Sequence, residues 1–441
     1  MSWAEEEFRT IDLGDHRLNK RTVLLAERLG QKPVASIPNA CLNWTETIAA
    51  CRYLSHEETR WDKVMEAHWE ASEARIREHP VVLCLQDTTE LDYNGQQIAG
   101  LGPLSYEAQR GMYLHPTYVV TPEREPLGVT NAWMWAREFR AEDGSRGGLP
   151  ESSRWVESYE RVAEQAARLP ETRHVCVSDR ESDMMGLLVR ARELDHAADY
   201  LIRSCHNRTL PGGNKLWAQV MESPVLGCVA FTIPAGRGRK ARQVRQEIRL
   251  KQVALPDGKG GTVEVSCLIA SEIDCPERTV PVVWRLLTNR QAETLAEACQ
   301  LVDWYRARWE IELFFLVLKE GCRVEQLQLE TIDRLQTALV LYMVIAWRIN
   351  RLMRLGRTLP ELPADLLFEA DEWKAAFILN KKRPPKAIPQ ANAVIRLIAR
   401  LGGFLGRKGD GEPGVKTLWL GMRELAVFVE GLRFAREIGL D

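Results

Sequence analysis

The sequence lacks the features that mark several protein classes. Its 441 residues carry a formal net charge of -2, from 59 Lys and Arg against 61 Asp and Glu, which argues against a uniformly basic, histone-like nucleic-acid binder. The 10 cysteines and 8 histidines include no CxxC pair and no repeated metal-binding spacing, so a zinc module is not expected. The near-neutral total does not exclude nucleic acid, because binding depends on where the positive charge lies.

Targeting segments and membrane spans are not expected either. The acidic N-terminus, MSWAEEEFRT, has no apolar stretch and does not resemble a signal peptide. The most apolar run, residues 338–347, is too short to cross a bilayer. We therefore expect a cytoplasmic protein with reduced thiols and no membrane partner.

The pattern that is present is typical of a folded α/β protein. The chain is 45% hydrophobic and 27% charged, and its length suggests about two to three domains. Helical periodicity runs through residues 1–75. Strand-like runs and helical patterns then alternate, which predicts a mixed β-sheet. The strand-like runs are 81–85, 113–120, 127–135, 174–178 and 200–203, and the helical patterns are 153–169 and 184–194.

The second half adds a β-rich segment and then more helix. Four strand-like runs, at 225–233, 244–253, 262–269 and 280–287, predict an insertion. A long helix is expected over 292–320, and most of the remainder has helical periodicity. We predict a helical N-terminal domain over 1–75, a catalytic domain over 76–340 with its β insertion at about 211–288, and a helical C-terminal domain over 341–441.

Positive charge is concentrated in two stretches. Residues 237–251 contain seven bases and one acid, and residues 373–409 contain nine bases and no acid. Residues 361–372, just before the second stretch, contain five acids and no base. Such runs are often solvated surface, but two acid-poor basic stretches in a near-neutral chain favour a polyanionic partner.

The strongest local signal is segment 301–320, LVDWYRARWEIELFFLVLKE. At about 100° per residue, Tyr305, Arg308, Glu312 and Lys319 fall within a helical stripe about 60° wide. Apolar side chains cover most of the remaining circumference, and burying such polar groups is costly unless they are paired or used. One interpretation is a buried ladder of salt bridges, and the other is a site for phosphate and a metal ion.

These four residues fit the pattern Y-x2-R-x3-E-x6-K without a gap, and through it the chain resembles the insertion-sequence-four group of DDE transposases. An Asp after a strand is usually a turn or cap residue, but the order and spacing of further matching pieces make the joint match specific. Those pieces are Leu13-Gly14-Asp15 with Arg17 and Arg21, Asp87-Thr88-Thr89, Asp179-Arg180-Glu181 with Asp183, Arg203-Ser204 with His206, Trp284 with 286–288, and 399–404.

The resemblance implies an RNase H-like catalytic core, a mixed β-sheet with helices, that carries the β-rich insertion and is flanked by helical N- and C-terminal domains. Catalysis and metal binding would fall to Asp87, Asp179 and Glu312, with two Mg²⁺ ions per site and Mn²⁺ as a substitute. Glu312 ranks above Glu310 and Glu320 because it alone lies within the polar stripe. The residues assigned to DNA contact are Tyr305, Arg308, Lys319, Arg203, Trp284, Arg17, Arg21, Arg237, Arg239 and Lys240.

The implied activity is cut-and-paste transposition in the bacterial cytoplasm, on nucleoid DNA. Water nicks the transposon end, the freed 3′-OH forms a hairpin with the opposite strand, water reopens it, and the 3′-OH joins target DNA. Trp284 would stack on the base that leaves the duplex during hairpin formation. Pairing of two inverted-repeat ends implies a homodimer, with the C-terminal helices as its contact surface.

Two other functions stay open at this point. One is a transposase-derived DNA-binding regulator or inhibitor that no longer cuts, which loss of a triad carboxylate would favour, and all three are present. The other is an RNase H-like nuclease without strand transfer. The chain departs from the family at Leu316 and Cys205, where the family pattern has lysines, so some phosphate contacts are missing or made elsewhere.

Overall fold

The computed structural model describes residues 2–233 and 241–439 of the chain. Its backbone divides into two compact units, each discontinuous in sequence. The sheet unit comprises His79–Asp87 and Leu149–Trp309, and the helical unit comprises Met1–Glu78, Thr88–Gly148 and Glu310–Asp441. Across these described ranges, no helix is both long and apolar enough to cross a membrane.

The helices and strands of the described residues are numbered in chain order. The α-helices are α1 (Trp3–Glu7), α2 (His16–Gln31), α3 (Ile37–Ala40), α4 (Trp44–Leu54), α5 (Trp61–Ile76), α6 (Glu151–Arg168), α7 (Met185–Glu193), α8 (Leu216–Met221), α9 (Leu295–Ala307), α10 (Trp309–Leu316), α11 (Ile332–Thr358), α12 (Ala370–Leu379), α13 (Ala391–Leu401) and α14 (Val415–Glu437). The strands are β1 (Val81–Gln86), β2 (Thr89–Asp92), β3 (Gly102–Pro103), β4 (Arg110–Val120), β5 (Pro126–Trp135), β6 (Arg173–Ser178), β7 (Asp199–Arg203), β8 (Val225–Ile233), β9 (Arg242–Pro256), β10 (Thr262–Ile273) and β11 (Val283–Thr288).

The sheet unit is built on a mixed sheet with the strand order β1-β6-β7-β11-β10-β9-β8. β1, β6 and β7 run parallel, and the remaining strands continue the sheet in antiparallel pairs. β1 and β6 are buried along almost their whole length, as expected for parallel strands that are covered on both faces. Helices α6 and α9 pack against β6. The strands of 225–288 therefore extend the same sheet that carries β1 and β6.

The helical unit has a core formed by the long helix α11 and a small antiparallel group of strands. α11 is buried continuously over 337–350, and it contacts α2, α5 and β5. β4 pairs with β2, β3 and β5. On β4, the Tyr118 ring stacks on Phe314 of α10 with centroids 4.8 Å apart. A helical segment that is apolar on all sides, such as residues 338–347 of α11, is stable only when other elements surround it.

Two glycines allow the C-terminal helices α13 and α14 to approach closely. A Cβ atom on Gly421 would lie 1.8 Å from the Ile398 carbonyl oxygen, and one on Gly402 would lie 2.0 Å from the Thr417 carbonyl oxygen. Any side chain at either position would therefore push the two backbones apart. This contact gives a physical reason for Gly402 in the matched segment 399–404.

The predicted α/β class, with a mixed sheet and helical N- and C-terminal regions, is confirmed. The short strands β2 and β3 were missed. The prediction of one helix over 292–320 was wrong, because the structure has α9, a turn at Arg308, α10 and then a π-helical turn, Val317–Gly321. The predicted three-domain division, with its boundaries at 75 and 340, stays a prediction.

Candidate active site

Asp87 and Asp179 lie next to each other at one edge of the sheet unit. β1 and β6 pair in parallel with Gln86 opposite Ser178, so each aspartate is the first residue after its strand. Both are half-buried. Asp179 also caps the 3₁₀ turn Arg180–Ser182, because its Oδ1 accepts the Glu181 amide at 2.8 Å. The parallel register thus brings two predicted site carboxylates together.

Arg308 is the basic partner of this edge. Its Nη1 donates to Asp87 Oδ2 at 2.6 Å, and both side chains are largely shielded from solvent, with 12% and 17% exposure. A charge-assisted hydrogen bond of this kind is shorter and stronger than one between neutral groups. Arg308 holds this position because it forms the turn between α9 and α10, where the chain departs from regular helix.

Tyr305, one helical turn before Arg308, connects this edge to an aromatic cluster. Burial raises the pKa of the Tyr305 phenol above its ordinary value, Arg308 and Arg203 oppose the shift, and Asp179 adds to it. The Trp284 ring packs edge-on against Tyr305 with centroids 6.4 Å apart. The sheet unit therefore gathers six of the predicted site residues: Asp87, Asp179, Arg203, Trp284, Tyr305 and Arg308.

One face of Trp284 is already covered by an aromatic residue that sequence reasoning missed. Phe231, at the end of β8, stacks on Trp284 with centroids 5.5 Å and planes 12° apart. The guanidinium of Arg306 lies over Phe231 at 5.1 Å. A base could stack on Trp284 only from the other side or by displacing Phe231. The apolar pattern of 225–233 indicated a strand, but it could not show which strand residue meets Trp284.

Glu312 and Lys319 belong to the helical unit. Glu312 is half-buried on α10. Lys319 lies in the π-helical turn, where the Cys322 amide donates to the Val317 carbonyl at 2.7 Å, and its Nζ lies 3.5 Å from Glu325. Lys319 therefore lies outside the regular α-helical part of the segment, whose periodicity the predicted stripe assumes. π-helical turns of this kind are frequent at functional sites.

The competing carboxylates Glu310 and Asp183 are engaged elsewhere. Glu310 is buried and forms a two-point ion pair with Arg354, one bond of which measures 2.8 Å. Asp183 is fully buried, and its Oδ2 accepts the amides of Cys205 and His206 at 2.7 and 2.9 Å. These contacts assign both carboxylates to structural roles.

One cluster within the described ranges has the spacing of a metal site, and it is formed by Asp183, Cys205 and His206. Asp183 accepts hydrogen bonds from the backbone amides of Cys205 and His206. Arg208 forms an ion pair with Asp183 at 2.5 Å. Burial and the Asp183 charge raise the pKa of the Cys205 thiol, which keeps it protonated and a poor metal ligand. The cluster therefore stabilises a turn after β7.

The two N-terminal basic residues lie on α2. Arg17 is exposed and pairs with Asp15, the residue that caps α2, at 2.8 Å, whereas Arg21 is half-buried. Hydrogen bonds from the Arg17 side chain and from the Arg17 backbone amide lower the pKa of Asp15 to about 2. Arg237, Arg239 and Lys240 lie outside the residues that the structure describes.

A cavity of about 200 Å³ opens in the sheet unit beside Asp179. Its lining includes Arg180, Arg203 and Arg285, together with Trp217 and Cys205. Of these residues, only Arg203 is predicted from the sequence to contact DNA. The sequence nevertheless contains a signal for the other two arginines, because Arg180 directly follows Asp179 and Arg285 directly follows Trp284.

Three family models match the chain. Residues 1–59 match the model described as transposase DNA-binding, residues 160–348 match the transposase DDE domain, and residues 344–439 match the transposase Tn5 dimerisation domain. The DDE match contains Asp179 and Glu312 and begins after Asp87. With the mixed sheet, it confirms the predicted RNase H-like fold class.

Proposed function

We propose that this chain, which belongs to the Tn5-like DDE transposases, cleaves the ends of a mobile DNA element by hydrolysing phosphodiester bonds and joins the freed 3′-OH ends to target DNA. The observation that carries the proposal is the pairing of Asp87 and Asp179 at the ends of neighbouring parallel strands. Two carboxylates repel a phosphate unless cations lie between them and the DNA. Their proximity therefore favours metal-dependent phosphate chemistry.

The ligand set suits a hard divalent cation. Half-buried carboxylate oxygens are the protein ligands that Mg²⁺ prefers, and the nearby Cys205 and His206 are held in a separate turn. Asp87, Asp179 and Glu312 would hold two Mg²⁺ ions, for which Mn²⁺ would substitute. Bound as a pair, such ions stabilise the attacking and leaving oxygens of an in-line displacement at phosphorus.

The basic and phenolic residues would hold the DNA backbone around these carboxylates. Arg308 donates to an Asp87 oxygen in the structure, and a phosphate oxygen is an equivalent acceptor for the same N–H groups. Tyr305, Arg203 and Lys319 would contact further phosphates of the non-transferred strand. Arg308 would therefore align the strand and also hold Asp87 in position.

Hairpin formation would follow the first nick. The 3′-OH attacks the opposite strand, the duplex bends sharply, and one base leaves the stack. Trp284 offers a half-buried aromatic surface beside Tyr305 for that base. Stacking on an aromatic ring contributes about 1–3 kcal/mol per base. Water then reopens the hairpin before the 3′-OH joins target DNA.

Recognition and assembly would use the two ends of the chain. Arg17 and Arg21 lie in the segment that matches the DNA-binding model, and we propose that they contact the inverted-repeat ends. Arg237, Arg239 and Lys240 would add phosphate contacts. Two copies would pair two DNA ends through the segment that matches the dimerisation model. This reaction would take place on nucleoid DNA in the bacterial cytoplasm.

The direct test is cleavage of the DNA that flanks the gene, with Mg²⁺ present. We expect the wild-type protein to cut at the inverted-repeat boundary and Glu312→Gln to lose cleavage by at least about a thousandfold, because a neutral amide is a weak ligand for a hard cation. Glu320→Gln is the matched control, since Glu320 is an exposed carboxylate eight residues further on. It should cut like the wild type.

Other outcomes would select other functions. Equal cutting by wild type and Glu312→Gln would remove Glu312 from the site. Specific binding of the ends without any cutting would identify a DNA-binding regulator. Cutting without strand joining would identify a nuclease. The presence of all three triad carboxylates favours the transposase over the regulator.

A further inference from the structure

The Arg180, Arg203 and Arg285 cavity is unusual in its charge. Three guanidinium groups line it, and among the described residues none of the three lies within ion-pair distance of a carboxylate. Cys205, also in the lining, stays a neutral thiol, because burial and Asp183 raise its pKa. Clustered arginines without acidic partners repel one another, and an anion in the cavity would relieve that repulsion.

Arg285 is held in place by contacts that leave its N–H groups available. Its guanidinium lies 4.1 Å from the centroid of the Trp217 ring. The Trp217 indole N–H donates to Ser204 Oγ at 3.3 Å, and the Ser204 amide donates to the Arg285 carbonyl at 2.7 Å. A guanidinium that stacks on an aromatic ring keeps its N–H groups at its edge for an oxygen acceptor.

The position and size of the cavity indicate its occupant. Arg180 directly follows Asp179, and Arg203 ends β7, the strand beside β6. A volume of about 200 Å³ is smaller than the roughly 300–1,000 Å³ of pockets that enclose drug-sized ligands. This space accommodates a single phosphate group of a strand that continues past Asp179.

We propose that this cavity binds one backbone phosphate of the DNA. Arg285, stacked on Trp217, supplies the positive charge for that phosphate together with Arg180 and Arg203, whereas the neutral thiol of Cys205 supplies none. This inference rests on the proposed function, because it takes DNA to be the substrate. It adds Arg180, Arg285 and Trp217 to the residues that position the DNA strand next to the site of cleavage.

The test measures DNA binding without divalent ions, so that cleavage does not enter. The probe is a duplex that carries the inverted-repeat end from the flanking DNA. For Arg285→Ala we expect affinity to fall by about tenfold and the slope of log affinity against log salt to decrease by about 1. Arg285→Lys, which keeps the charge, should restore the slope. Arg161→Ala removes an exposed arginine from α6 in the same unit and should change neither quantity.

Ethylation of individual phosphates identifies the bound one. Ethylating the phosphate in the cavity should weaken binding by the wild type and by Arg161→Ala, but not by Arg285→Ala. Arg180→Ala tests the same phosphate from an exposed turn, where loss of the Trp217 stack plays no part. Both Ala variants should therefore lose the same interference signal.

The outcomes distinguish this inference from the proposed function. If the wild type binds the end DNA and both Ala variants keep its salt slope and its ethylation pattern, the cavity does not bind phosphate and the transposase proposal is unaffected. If the wild type does not prefer the end DNA to random duplex, the proposed function and the inference both fail.

Discussion

Asp179 combines a structural contact with a proposed role in the site. One of its carboxylate oxygens caps the 3₁₀ turn after β6, which fixes the carboxylate relative to the sheet. Capping is the ordinary role of an Asp after a strand, so the capping bond alone does not indicate catalysis. What distinguishes this Asp is its neighbour Asp87, which follows the adjacent strand at the same register. Two adjacent carboxylates repel each other, and a bound cation removes that repulsion.

The role of Trp284 can be tested at the level of one ring. Trp284→Ala should nick the DNA ends at the wild-type rate but reduce hairpin yield by about tenfold or more, because it loses the stacking surface for the displaced base. Nicks and hairpins are separated on denaturing gels. Trp284→Phe should retain most of the hairpin yield.

Phe231→Ala provides the matched control for packing. It removes the ring that covers one face of Trp284 and leaves the indole in place. Hairpin formation should therefore be retained or increased. Hairpin yield that is unchanged in Trp284→Ala would rule out the stacking role.

At the scale of elements, the sequence predicted what depends on local pattern. The expected strand at 225–233 has the bounds of β8, and 81–85 and 174–178 differ from β1 and β6 by one residue. These strands are apolar runs with clear ends. β2 and β3 contain only 4 and 2 residues, which is too short for a periodic signal.

The irregular and long-range features could not be predicted in this way. The break at Arg308 contains no Pro or Gly, and a π-helical turn has no sequence signature that periodicity reveals. The order of Asp87, Asp179 and the four-residue pattern predicts the three site carboxylates, and the register of β1 and β6 places the two aspartates side by side. The stack of Arg285 on Trp217 depends on how β11 and α8 meet, which no local pattern contains.

A buried ionic cluster links α1 to α5 in the helical unit. Arg75 donates to both Glu7 oxygens at 2.9 Å, and the His68 Nδ1 lies 2.5 Å from Glu7. The Val129 amide donates to His68 Nε2 at 3.0 Å, and burial lowers the His68 pKa, so His68 is neutral and donates from Nδ1. Burial opposes ionisation of Glu7, but His68 and Arg75 outweigh it and lower the Glu7 pKa to about 2.

This cluster predicts a pH-dependent contribution to stability. Because the folded-state pKa of Glu7 is below its unfolded value of 4.5, its contribution is present above about pH 4.5 and is lost as the pH falls towards 2. Glu7→Gln should lower the free energy of unfolding by about 3 kcal/mol at neutral pH, and this difference should shrink below about pH 4.5. Urea unfolding at several pH values measures it.

The matched control for this prediction is Glu6→Gln, which changes an exposed carboxylate in the same helix. Its effect on the free energy of unfolding should be within about 0.5 kcal/mol at every pH. A Glu7→Gln difference that stays constant as the medium is acidified would show that the Glu7 charge does not stabilise the fold.

At the scale of the whole molecule, the near-neutral net charge reflects compensation between segments. The acids of 361–372 offset the basic stretch 373–409, in which Lys381, Lys382, Arg383 and Lys386 are exposed or nearly so. Positive charge available to DNA is therefore confined to particular surfaces. Binding should weaken with salt in proportion to the number of phosphates that those surfaces contact.

The C-terminal helix offers an apolar surface that fits a partner copy. Val427 and Phe434 of α14 and Ile438, directly after it, are 57%, 60% and 53% exposed. Their spacing of seven and four residues places them within about 40° on one helical face. This face lies within the segment that matches the dimerisation model. Exposed apolar residues aligned on one face commonly mark an interface between proteins.

We therefore expect Phe434→Asp to block pairing of DNA ends while leaving the fold and single-end binding intact. Burying a charge in an apolar interface without a partner costs several kcal/mol, which is enough to dissociate a moderate dimer. End duplexes of two lengths, mixed with protein and separated on native gels, show pairing as a band that contains both. Leu366→Asp places the same charge at another exposed apolar residue, 65% accessible and outside α14, and should pair ends normally. Normal pairing by Phe434→Asp would show that the two copies meet through a different surface.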